Sequence, residues 1–281
     1  MIRKYFDFVR FEHTVFALPF ALAAMCVAAR GWPGWRIFLL VLVAMVCART
    51  AAMGFNRIVD RKFDALNPRT AGRHLPTGAI SLLGAWGLVG SSGVLFVVTT
   101  WFLNRICFWL SPVALGIIFL YSLTKRFTDF SHFFLGLALA VAPVGAWLAV
   151  RWEFAWPPVV LAGAVVFWLI GFDIIYATQD VEVDQRLGLH SLPVRWGVAG
   201  SLRFARLAHA VMAVALLAFG LISKLHLPYF AGLAVIVVCL VSQHIVARKR
   251  DPVSLNVAFF RLNAVISVVF LVAVVVDVVL R

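Results

Sequence analysis

Charge is scarce in this chain, and negative charge is scarcer still: 12 Asp and Glu stand against 25 Lys and Arg in 281 residues. With 13% of residues charged and 63% hydrophobic, the sequence cannot be an ordinary soluble domain, which is about a quarter charged and roughly half apolar. Cysteine is also sparse. Cys26, Cys47, Cys107 and Cys239 fall singly in apolar runs with no CxxC pair, and the seven histidines have no ligand spacing near the acids. That excludes a disulfide framework and leaves no signature of a thiolate or imidazole metal centre. Low-complexity tracts are missing, as is any linker long enough to separate soluble domains, so residues 1–281 are expected to form a single transmembrane domain. The N-terminal "MIRKYFDFVRFEHTVFALPFALAAM" lacks a cleavage-site pattern and is expected to be an uncleaved first helix after an amphipathic start.

What the chain has instead is long apolar runs, with a mean hydropathy of +0.99. Runs at 13–30, 36–55, 82–103, 105–121, 132–150, 158–176, 204–224, 228–247 and 262–280 are each near the roughly 20 residues that a spanning helix needs. The expected fold is therefore all-α and polytopic, with about nine transmembrane helices. The loops supply a separate test, because Lys and Arg accumulate on the cytoplasmic side. With the N-terminus inside, 18 basic residues fall on the inner side, among them Arg3, Lys4, Arg10, Arg248, Lys249 and Arg250, and 6 on the outer side, namely Arg30, Arg36, Arg105, Arg151, Lys224 and Arg281. This places the N-terminus in the cytoplasm and the C-terminus outside. The same distribution explains the net charge of +13 without a nucleic-acid partner: the cations lie in short loops beside spans, where anionic lipid is the natural counterpart.

The few acids gather in two places. Asn56, Asp60 and Asp64 are spaced i, i+4, i+8 and make one polar stripe on a helix. Asp173, Asp180 and Asp184, at i, i+7, i+11, would fall within an arc of about 40° if their segment were also helical. Carboxylates so aligned repel one another and suit a shared hard cation such as Mg²⁺, which bridges carboxylates to substrate phosphates. Arg69 and Arg73 follow the first stripe at helical spacing, and Lys125 and Arg126 occupy another inner loop; such groups clamp phosphate oxygens. Acids for Mg²⁺ beside bases for phosphate describe a diphosphate site, with an apolar bundle beneath it able to hold an isoprenoid tail. A solvated helix end would explain one such cluster alone, but not two on matched helix ends. A cation-coupled transporter is the alternative from another class, although its acids would sit near the membrane midplane rather than at the inner ends.

The segment "NRIVDRKFDALNPRTAGRHLPTGAI" resembles the NDxxDxxxD motif and the following R-T-A-x-R-x-L-P-x-G stretch of the UbiA superfamily of intramembrane prenyltransferases. "FDIIYATQDVEVDQRLGLHSLP" resembles that family's YDxxYAxxDxxxD motif and its G-x-x-S element, and "YSLTKRFT" resembles Y-x-x-x-K-R-x-T. The resemblance implies nine helices around a central cavity open to the cytoplasm and to lipid, and a Mg²⁺-dependent reaction in which an aromatic ring displaces diphosphate from an allylic prenyl donor. It further implies that Asn56, Asp60, Asp64, Asp180 and Asp184 bind Mg²⁺ and diphosphate. By the same resemblance Arg69, Arg73 and Lys125 contact the diphosphate, and Asp173 and Tyr176 line the pocket near the reacting centre. The chain departs from the pattern at Arg57, where the family commonly has Asp; Arg57 is expected to be a solvated positive-inside residue, the alternative being a purpose specific to one branch of the family.

Arg49 narrows the acceptor. Its charge lies inside an apolar span, where it costs at least about 2.5 to 3.5 kcal/mol and so marks a functional site. It precedes Asn56 by seven residues, on nearly the same helix face and two turns deeper. In members of the family that use 4-hydroxybenzoate, an Arg at this offset is implicated in holding the acceptor carboxylate. The expected substrates are a polyprenyl diphosphate and a small aromatic carboxylic acid, with 4-hydroxybenzoate as the type. The corresponding naphthoate or futalosine-derived acid of menaquinone synthesis is the runner-up.

Overall fold

The computed structural model describes residues 2–9, 14–249 and 251–280, and over these it is helical without strands. A short α1 (Ile2–Phe8) precedes α2 (Thr14–Ala29), α3 (Trp35–Leu66), α4 (Leu82–Leu103), α5 (Arg105–Thr124) and α6 (Ser131–Arg151). Then come α7 (Trp156–Ala177), the six-residue α8 (Val181–Arg186), α9 (Leu192–Ile222) and α10 (Leu227–Ala247). The chain ends in α11 (Pro252–Asn256), a π-helical turn at Val257–Arg261 and α12 (Leu262–Val279). Among the described residues, eight helices are long and apolar enough to cross a membrane, with α2 a shorter apolar companion. The fold is that of an integral membrane protein with about nine spans. His13, where the first expected span begins, and the cations Arg10, Arg250 and Arg281 lie outside the described residues.

Two boundaries differ from expectation, for local reasons. The second span does not stop near residue 55 but runs unbroken to Leu66. Asn67 then turns extended, at φ −96° and ψ 119°, as the ring of Pro68 disfavours helix at the residue before it. The ninth helix begins at Leu192 rather than near 204, and its first turn is set off by Gly197, whose φ of 70° and ψ of 166° interrupt the helical backbone.

Packing follows the residue sizes. Helix α7 is the most buried span and lies between α6 and α9, while α2 touches both α6 and α12. Trp168, Leu161, Ile174, Phe20, Phe219 and Phe270 fill the core around α7 without exposure. By contrast Leu83, Trp109 and Val238 are largely exposed on the rim helices, which is where lipid replaces protein. Because the spans alternate in direction, the segments after α3, α5, α7 and α10 share one end of the bundle, and that end carries both acidic clusters. At the other end Trp32, Trp35, Trp101, Trp109, Trp152 and Trp156 are exposed, an aromatic girdle of the kind found at membrane interfaces.

Candidate active site

The first cluster is built as its spacing requires. Asn56 donates from Nδ2 to Asp60 Oδ2 at 2.9 Å, one turn along α3. Asp64, one turn further, is 7% exposed. Arg69 and Arg73, however, do not continue the helix. The chain leaves it at Asn67 and folds through a series of turns, with Ala71 N donating to Asn67 O and Arg69 N to Asn67 Oδ1, each at 2.9 Å. The buried Thr70 hydroxyl donates to Asp64 O at 3.0 Å and ties this loop back to the helix end. The loop returns Arg73 to Asp64, Nη1 to Oδ1 at 2.6 Å, and sends Arg69 across the bundle.

The second cluster departs further from expectation, because Asp173, Asp180 and Asp184 are not on one continuous helix. Helix α7 ends at Ala177, Thr178–Asp180 form a turn, and α8 starts at Val181. Asp180, freed from the helical direction, meets the guanidinium of Arg69 in a fork: Nε to Oδ1 at 3.0 Å and Nη2 to Oδ2 at 2.7 Å. The third Arg69 nitrogen, Nη1, donates to the Tyr176 hydroxyl at 2.9 Å. Burial opposes the Arg69 charge, yet Asp180 with Tyr176 and Asp64 holds its pKa above the ordinary value. Burial pushes the Asp184 carboxyl up; Lys125, with Nζ 3.8 Å from Asp184 Oδ2, opposes the shift, and Asp180 adds to it. Burial would also lower Lys125, but Asp184, Asp173, Asp180 and Asp60 together raise it.

Both clusters line one cavity of about 200 Å³, whose wall includes Asn56, Asp60, Asp64, Asp173, Asp180 and Asp184 along with the cations Arg69, Arg73, Lys125 and Arg126. Arg126 adds an ion pair to Asp60 at 3.7 Å. Tyr176 reaches the site from outside that wall, through Arg69, and its ring stacks on Phe259 of the π-helical turn at 4.1 Å between centroids. Arg49 is not part of the wall; it lies deeper, within electrostatic reach of Tyr121, which is part of it. Arg57 is a correction: it is 8% exposed and lines the cavity rather than standing in solvent. Its position about 100° around α3 from Asn56 faces α5, where Tyr121 also feels its charge.

Tyr121, the first residue of the YSLTKRFT segment, lines the cavity. One residue of the site carried no signal in the sequence: His132 sits in an apolar run with Nδ1 2.6 Å from Asp173 Oδ2. A lone histidine has no periodic partner to reveal it. A further node, Asp129 with Arg195 Nη1 at 2.7 Å and His190 Nδ1 at 3.1 Å, pins the loop of Lys125 to the segment after α8. The Arg195 hydrogen bond holds the Asp129 carboxyl below its usual range.

Residues 17–265 match the model of the UbiA prenyltransferase family. The chain belongs to that family. It is a membrane prenyltransferase, similar to a protein of Alcanivorax borkumensis named 4-hydroxybenzoate octaprenyltransferase, at 36% identity over 233 residues covering 82% of this chain and 79% of the other. A Pseudomonas aeruginosa protein of the same name is 32% identical over 235 residues, 82% of this chain and 78% of its own. Among solved structures, a UbiA homologue from Aeropyrum pernix K1 superposes with a TM-score of 0.86 at 30% identity, covering 95% of this chain and 98% of that one. A UbiA homologue from Archaeoglobus fulgidus, bound to DMAPP and Mg²⁺, shares the fold with a TM-score of 0.77 at 21% identity, covering 99% of this chain and 100% of its own.

Proposed function

We propose that this family member transfers a polyprenyl group from a polyprenyl diphosphate to a small aromatic acid of the 4-hydroxybenzoate type in quinone biosynthesis, releasing diphosphate. The observation that carries the reading is the convergence of both acidic clusters and their cations on a single cavity at one end of an apolar bundle. The names of the Alcanivorax and Pseudomonas relatives support the choice of acceptor.

Asn56, Asp60 and Asp64 on one side, with Asp180 and Asp184 on the other, are the residues that would hold Mg²⁺. Among the described residues no three acids or histidines already converge on one point. The donor set nevertheless fits: Asp64 Oδ2 and Asp184 Oδ2, one from each cluster, are buried without a hydrogen-bond partner, and hard anionic oxygens are what this cation takes. When bound, the metal would supply positive charge against the growing charge of the leaving diphosphate. Arg69, Arg73 and Lys125 each now face a carboxylate, and each can exchange it for a phosphate oxygen of similar geometry. Those contacts strengthen as the allylic C–O bond ionises, so they favour the transition state over the bound donor. The tail of the donor would lie among the apolar helices, away from water. Arg49, deeper on α3, would receive the acceptor carboxylate; Asp173 and Tyr176 would stand near the reacting carbons.

The domain acts as one unit, 1–281, in the cytoplasmic membrane, with the acidic end and N-terminus inside and the C-terminus outside. The asymmetry of the loop cations supports that orientation. A second acceptor, the naphthoate or futalosine-derived ring of menaquinone synthesis, is the runner-up, and it rests on the Asn56–Arg57 pair standing where the family commonly has Asn-Asp. Membranes holding the protein, supplied with a polyprenyl diphosphate and a panel of aromatic acids, should release diphosphate only with Mg²⁺ and a suitable acid. Cation-coupled uptake without such release would sink the enzyme reading.

A further inference from the structure

His132 belongs to neither acidic cluster and carries no motif, yet it makes one of the shortest polar contacts of the site. It lies on the first turn of α6, is 1% exposed, and places Nδ1 2.6 Å from Oδ2 of Asp173 on α7. A carboxylate only accepts, so Nδ1 is the nitrogen that carries the proton. The other nitrogen, Nε2, is buried with no hydrogen-bond partner. Beside the ring is a second cavity of about 200 Å³, lined by Phe130, Phe133, Phe167, Ile170, Leu192 and Phe204, and none of these side chains can bond it. A buried imidazole that served the fold alone would be expected to satisfy both nitrogens. Here its polar partner is Asp173.

The helix packing is shaped to make this contact. Gly136, one turn after His132 on the same face of α6, lies so close to α7 that an added Cβ would come within 2.9 Å of Val166 O. Val166 precedes Asp173 by two turns, so the approach at Gly136 carries the start of α6 onto the end of α7. Asp173 lines the polar cavity and feels the charge of Lys125. With Oδ2 held by His132, Oδ1 is the oxygen left for whatever occupies that cavity.

Prenyl transfer to a ring carbon requires such a group. The allylic C–O bond of the donor breaks, a C–C bond to the ring forms, diphosphate leaves with the electron pair, and the ring carbon must lose a proton. We propose that His132 is a positioning residue: its Nδ1–H fixes Asp173 so that Oδ1 faces the acceptor ring and takes that proton, passing it on to water when the cavity opens. No electrons are exchanged beyond the bonds named. The inference rests on the prenyl-transfer reading but not on which acceptor is used.

The test is diphosphate release by membranes containing full-length variants, assayed with whichever acceptor the parental protein turns over, so that a wrong acceptor class is separated from a wrong role for His132. His132→Ala should lower kcat by up to about a hundredfold, the cost of a reacting group misplaced by about 1 Å, with the KM for the prenyl diphosphate within about twofold of the parent. His132→Asn, whose amide nitrogen occupies the Nδ1 position, should recover most of kcat. His132→Gln, similar in size but with its amide at the Nε2 position, should not, and this pair decides the matter even if the alanine variant accumulates poorly. Asp173→Asn should be no worse when combined with His132→Ala. A kcat for His132→Ala within twofold of the parent, equal rates for the Asn and Gln variants, or additive losses in the double variant would each overturn the proposal.

Discussion

The two acidic clusters of this protein line one cavity with different architecture. Asn56, Asp60 and Asp64 ride one uninterrupted helix, α3, and are registered by its period alone. Asp173, Asp180 and Asp184 are divided among the end of α7, a turn and the short α8. A continuous helix holds its stripe rigidly but can aim it in only one direction. The broken segment lets Asp180 swing to the Arg69 fork while Asp173 stays back against His132. The rigid half has its cation supplied by a loop that folds back, Arg73 on Asp64; the jointed half receives its cation from the opposite half of the molecule. The Arg69–Asp180 pair is thus the link between the two.

The comparison breaks first on the carboxylates. Asp60→Ala and Asp180→Ala should each reduce Mg²⁺-dependent diphosphate release by at least about a hundredfold, the scale seen when a transition-state charge partner is removed, with the protein still folded in membranes. Near-normal release by either variant would mean that only one cluster matters. Next is the proposed acceptor contact on α3: Arg49→Ala should raise the KM for the aromatic acid about tenfold to a hundredfold, as expected for loss of a bidentate charged contact, and leave the donor KM almost unchanged. An unaltered acceptor KM would remove Arg49 from the site. A smaller effect separates the two loop arginines. Arg69→Lys loses a three-pronged contact and should weaken prenyl diphosphate use by about tenfold, against about threefold for Arg73→Lys, which needs one nitrogen only; donor KM for the pair checks it, and equal losses would erase the distinction drawn between the halves. Smallest of all is Asp129→Asn. Its partner Arg195 is 63% exposed, and exposed ion pairs contribute about 0 to 1 kcal/mol, so thermal stability and kcat should shift little. A large loss would make the Asp129 node part of the catalytic machinery.

The legibility of these regions in the sequence follows the same contrast. The α3 stripe could be read because a helix of fixed period converts spacing directly into direction, and apolar runs could be read as spans because lipid tolerates no unpaired backbone. The second cluster was readable as a set of acids but not as a geometry: the end of α7 at Ala177 carries neither proline nor glycine to announce it. Arg57 had the look of any cytoplasmic loop cation, and only the continuation of α3 to Leu66, with α5 packed beside it, buries the residue at the cavity wall. His132 was silent for a simpler reason. One histidine in an apolar run gains meaning from what it touches, and its partner is 41 residues away.

By itself, the sequence determined a greasy all-helical bundle, the end of it that bears the charge, and the acids and cations gathered there, since composition, period and loop charge act locally along the chain. The tertiary structure decided which carboxylate meets which cation, that Arg69 crosses between the halves, that Arg57 faces inward and that His132 holds Asp173. Those outcomes depend on where a helix breaks and how closely two helices approach, as Gly136 permits against Val166, and such distances are set by packing across the bundle rather than by any neighbour in the chain.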